Sequence, residues 1–174
     1  MCARLDDFLN AFAKLRTDGS KKHWTGFSYY RSPYKPLLLL AVLDFIESGI
    51  IVRNFVEPSF ELAETFQNYC ALFLPPERKV SMSYPFYHME SATFWNLRPQ
   101  SGQQHQKGLA ISSVKRLRQL YLGAQFSSDL YPLLQMPGHM LTLSDRPMFR
   151  PPESRFWPDQ DNLAWHRRER FTKM

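Results

Sequence analysis

The sequence predicts a mainly helical α+β domain with short strands, and three observations lead there. Segments 5–15, 58–73 and 112–122 carry apolar residues at the spacing of a helix with one buried side. Leu37 to Leu43 is apolar throughout and lies between Pro36 and Gly49, as a helix at the centre of a core would. The β-branched and aromatic runs between them are brief, enough for short strands but not for a large sheet.

Leu5 to Leu15 places apolar side chains at i, i+3, i+4 and i+7, which defines an amphipathic first helix. Thr17 to Pro33 reads as a polar, aromatic loop containing Gly19 and Gly26. The buried helix begins near Lys35 or Pro36, because proline is tolerated in a first turn, and Gly49 caps its end. Ile50-Ile51-Val52 suggests a short strand. Pro58 opens a third helix with Phe60, Leu62, Ala63, Phe66, Tyr69, Cys70 and Phe73 on its apolar side, and Pro75-Pro76 ends it. Residues 77–100 read as loop and short strand, with Ala92 to Leu97 extended and Phe86, Phe94 and Trp95 in the core. Gln100 to Gly108 is a polar loop. Ser112 to Leu122 is a basic helix capped by Ser112 or Ser113, and Asp129 to Met136 a last short helix.

The 174 residues, 44% of them hydrophobic, suffice for one domain with a core. Residues 1–145 form that domain, and 146–174 a basic tail punctuated by proline and packed on it through aromatics. No apolar run approaches the roughly 20 residues that span a bilayer. Asp6 and Asp7 interrupt the first apolar stretch, unlike a signal peptide, so no membrane contact is expected. Cys2 and Cys70 form no C-x-x-C, which favours free thiols and a cytoplasmic location.

The net charge is +6, and it is unevenly spread. Residues 75–118 hold Arg78, Lys79, Arg98, Lys107, Lys115, Arg116 and Arg118 against Glu77 and Glu90 alone. That excess is either a phosphate footprint or a solvated basic surface. No G-x-S-x-G element, phosphate-cradling glycine loop or paired-carboxylate spacing is present. No cofactor and no metal site are expected. A histidine-metal nuclease built from His139, Asn162 and His166 is a remote alternative, since prolines break the intervening segment.

Two aromatic and basic segments stand out instead. Tyr29-Tyr30-Arg31-Ser32-Pro33-Tyr34-Lys35 leads into the buried helix, so Arg31 and Lys35 flank a loop–helix junction where backbone N–H groups also attract anions. Ordinary capping would explain the same residues. Ser83-Tyr84-Pro85-Phe86-Tyr87-His88 joins apolar rings to hydrogen-bonding groups without a carboxylate. Here the plain alternative is a turn on the core with a structural histidine.

Taken together, the two segments resemble a known family. Arg31 to Asp44 resembles the R-x-P-[HY]-K-P-L-L-L-L signature of sulfur-binding domains in bacterial phosphorothioate-dependent type IV restriction endonucleases. Tyr84 to Met89 and Phe94 to Leu97 resemble its Y-P-F-[FWY]-H-L and F-W-x-L signatures, and the likeness spans about residues 5–140. It implies recognition of double-stranded DNA in which sulfur replaces a non-bridging phosphate oxygen. Tyr84 and Pro85 would form an apolar cavity for the sulfur, and Tyr30 and Arg31 would grip the linkage. Ser83, His88 and Lys35 fall within the matching motifs. No HNH motif is present, so the resemblance implies binding, with cleavage left to an associated nuclease domain or subunit.

Sulfur is larger, more polarisable and a poorer hydrogen-bond acceptor than oxygen. A wall of Pro85 ring carbons and the Tyr84 ring would favour it through dispersion and desolvation, whereas strong donors would favour ordinary phosphate. Arg31 would attract the remaining oxygen and neighbouring phosphates. Arg78, Lys79, Gln103, Gln104, His105 and Lys107 are candidates for phosphate or base contacts. A winged-helix-like regulator reading sequence through Ser112–Leu122 is the alternative.

Overall fold

The computed structural model describes residues 5–19, 32–75, 78 and 80–136. Tyr30, Arg31, Lys79, His139, Asn162, His166 and the boundary expected after residue 145 lie outside them. Within them the chain is an α+β domain, as its sequence predicts.

Helix α1 (Leu5–Ala13) carries Asp6 and Asp7 in its first turn, where the helix dipole favours them. It delivers Phe12 to the core, with the Phe12 and Phe94 ring centroids 4.7 Å apart. Helix α2 (Tyr34–Glu47) is buried from Tyr34 through Ile46, including Lys35 and Asp44. Such a helix is viable only if its polar side chains are satisfied. The Tyr69 hydroxyl donates to the Asp44 carboxylate from α3 (Phe60–Phe73). Gly49, at φ 72°, takes the left-handed conformation just past α2, and its N–H donates to the Ile46 carbonyl at 3.1 Å. Ser59 caps α3, its Oγ accepting from the Leu62 N–H at 3.1 Å.

After α3 the chain forms α4 (Ser83–His88), continued by a 3-10 turn, Met89–Ser91. Strand β1 (Trp95–Pro99) follows, then the polar loop, α5 (Val114–Leu120), β2 (Tyr121–Phe126) and α6 (Leu130–Leu134). The strands pair antiparallel with Trp95 opposite Phe126 and Arg98 opposite Gly123. The sheet packs on α4 through Trp95, whose Nε1 donates to the Phe86 carbonyl at 3.1 Å and whose ring meets Phe86 at 5.1 Å.

Four expectations need correction. Ile50–Val52 is not a strand: the Ile51 N–H donates to the Phe45 carbonyl at 2.9 Å, folding the segment back onto the end of α2. The strand-like pairing falls instead at Val56, which bridges to Ala124. Tyr84 and Pro85 are not in a loop but in the first turn of α4. The basic helix ends at Leu120, because Tyr121 turns extended to pair with β1. Phe60, expected on the apolar side of α3, is 63% exposed and lies under the Arg118 guanidinium, 5.3 Å from the ring centroid.

Candidate functional site

Helix α4 supplies the core of the site. Its start is fixed by Ser83, fully buried, whose Oγ donates to the Ile111 carbonyl at 3.0 Å and lies 2.8 Å from the Ser81 Oγ. Ser83 is therefore a structural anchor rather than the ligand contact its motif suggests. Proline is allowed at the third helical position, where no intrahelical N–H is required. Helical spacing then brings Tyr84, Pro85 and His88 to one face, since i and i+4 lie one above the other. The Tyr84 and His88 ring centroids are 4.4 Å apart at 57°. The buried Tyr87 closes on His88 from the other side at 5.1 Å, edge to face.

The first turn of α2 lines the same cavity as this helix face. The Lys35 Nζ donates to the Arg16 carbonyl at 2.7 Å and to the Ser91 Oγ at 2.9 Å. One ammonium thus ties together the segment after α1, α2 and the 3-10 turn. An ammonium has three donors, so two bonds leave one N–H for a further acceptor. Burial first, then the Arg16 charge, lower the Lys35 pKa to about 8, against an opposing pull from Glu90. The His88 pKa is also lowered, by burial first and then by the Lys35 charge, again opposed by Glu90.

Between these elements lies a cavity of about 560 Å³. Tyr84, Pro85 and His88 form its aromatic and proline wall, and Tyr34, Lys35 and Ser32 the α2 side. Arg16 to Gly19 and the pair Glu90 and Ser91 complete the rim. Among these lining residues Arg16 and Lys35 balance Asp18 and Glu90, so the cavity is close to neutral. Tyr84 is 50% exposed and presents its ring, whereas Pro85 is buried beside it.

Of the residues singled out by sequence, Lys35, Tyr84, Pro85 and His88 converge on this cavity. Tyr30, Arg31 and Lys79 lie outside the described residues, although Ser32, next in the chain to Arg31, lines the cavity. Arg78 is half-buried and does not line it. Gln103, Gln104 and Lys107 are exposed on the polar loop. His105 is exposed as well, but its ring is tied back to the domain, with Nε2 2.7 Å from the Glu90 carboxylate and Nδ1 3.0 Å from the Tyr121 hydroxyl. Sequence reasoning missed Arg16 to Gly19, Tyr34, Glu90 and Ser91 as wall residues. The Asp18-Gly19 pair was a visible turn signal, but its placement beside α2 is tertiary.

No protein-family model matches the chain, and no curated protein matches it.

The wall provides ring faces and proline carbons, and the buried Lys35 ammonium lines the same cavity. An anion that is partly soft and apolar suits such a site better than a densely hydrated one.

Proposed function

We propose that this domain binds double-stranded DNA carrying phosphorothioate linkages and serves the restriction of such DNA in bacteria. The observation that carries the reading is the meeting of Tyr84, Pro85 and His88 with Lys35 around one cavity, uniting the two motifs whose resemblance suggested it. The sulfur lies against the Pro85 and Tyr84 rings, where poor acceptor strength is no handicap. The remaining oxygen takes the free N–H of Lys35, and Arg31 adds attraction to the linkage and its neighbours. Gln103, Gln104 and Lys107 are exposed for groove contacts. The domain itself performs no reaction; an associated nuclease cleaves.

A cytoplasmic setting agrees with Cys70, a free buried thiol whose pKa burial pushes up to about 12, leaving it unreactive. Among the described residues no helix is long and apolar enough to cross a membrane. Titration with matched duplexes, with and without one sulfur, tests the reading. A sulfur-independent consensus from random duplexes would favour the sequence-reading regulator instead.

A further inference from the structure

Glu90 is out of place in a site for an anion. It lines the cavity, and its carboxylate would repel a phosphate oxygen. Among the described residues its ion-pair partner is His105, at 2.7 Å. A carboxylate only accepts, so Nε2 carries the proton of that bond. The other ring nitrogen, Nδ1, meets the Tyr121 hydroxyl at 3.0 Å, and a hydroxyl either donates or accepts. Both bonds therefore survive whether His105 is neutral or an imidazolium. In either form the bond from Nε2 places a donor against the Glu90 carboxylate and lowers the repulsion it exerts on an anion.

The same cluster holds the polar loop against the cavity wall. The Tyr87 hydroxyl donates to the Gln106 carbonyl and accepts from the Leu109 N–H at 3.1 Å. The Tyr87 ring packs on His88, which packs on Tyr84. His105 belongs to the loop that carries Gln103, Gln104 and Lys107, and its ring meets Glu90, which lines the cavity.

We infer that His105 is a positioning residue that screens Glu90, so that the Glu90–His105 pair sets the anion affinity of the cavity through its charge while pinning the adjoining loop. The inference rests on the binding reading above and names what tunes the affinity of that site. The other ionisable groups near the pair are Lys35 from α2, His88 and Tyr87 from α4 and Tyr121 from β2, with Arg16 and Asp18 lining the same cavity and Lys107 two residues on in the loop.

The experiment measures affinity for a duplex with one phosphorothioate and for its plain counterpart at pH 7.0 and constant salt. A unit charge acting at roughly 8 Å in a hydrated site changes anion affinity about threefold. Glu90→Gln should bind both duplexes about threefold more tightly than wild type. His105→Ala, which leaves Glu90 without its partner, should bind both less tightly, and His105→Gln, which keeps a donor toward Glu90, should fall between His105→Ala and wild type. The inference is overturned if Glu90→Gln binds no better than wild type, or if His105→Ala binds as well as wild type. If both duplexes bind equally and the Glu90→Gln gain stands, only the sulfur reading fails. If neither duplex binds, both fail together.

Discussion

Replacing Lys35 by methionine should change how stability responds to pH. Lys35 is 9% exposed, and its pKa falls from 10.5 to about 8 in the folded chain. Between those values the unfolded chain holds a proton that the folded chain has released. Stability therefore rises with pH across that window, and the cost of the buried ammonium is fully present only below about pH 8. From pH 7 to pH 9 the relief amounts to about 1.3 kcal/mol. Methionine has a similar shape and no titrating group, so the variant lacks this gain. It also loses the bonds to the Arg16 carbonyl and the Ser91 Oγ, a loss of about 1–2 kcal/mol at either pH. Urea unfolding of both proteins at pH 7 and pH 9 isolates the effect. Titration of Cys70 and the tyrosines is common to both and cancels in the difference. The wild type should gain about 1 kcal/mol more than the variant on going to pH 9. Parallel changes in the two proteins would refute the claim that a charged Lys35 is held, at a cost, beside the cavity.

Other substitutions separate the parts of the site. Pro85→Ala should reduce the preference for the sulfur duplex by about tenfold while plain-duplex affinity changes little, as competition binding would show. Arg31→Ala should weaken both duplexes and lower the slope of log affinity against log salt by about one. Gly123→Ala tests the fold alone. Its Cβ would sit 2.4 Å from the Val56 carbonyl oxygen and 2.7 Å from the Phe55 ring, and chemical denaturation should show a loss of about 1–3 kcal/mol.

The sequence made α2 legible because its apolar run has one structural solution, a helix inside the core. It also placed Lys35, Tyr84, Pro85 and His88 together by motif. It did not show α4 to be a helix. A segment of six residues with a proline and three aromatics has weak helical preference, and here burial of Phe86 and Tyr87 and the Trp95 bond hold it. Strand β2 was hidden because α5 runs into it without a turn residue; its pairing with β1 and the bridge from Val56 are long-range. The far side of the cavity was invisible for the same reason. Arg16 and Ser91 meet only through Lys35, and His105 reaches Glu90 only because the loop folds back over Tyr87.

The most direct measurement compares equilibrium affinity for two duplexes of identical sequence, one with a single phosphorothioate and one without, at physiological salt. An apolar wall that admits sulfur should favour the modified duplex by about ten- to a hundredfold, corresponding to roughly 1–3 kcal/mol for one well-filled apolar contact. Equal affinities would contradict sulfur recognition by Tyr84 and Pro85.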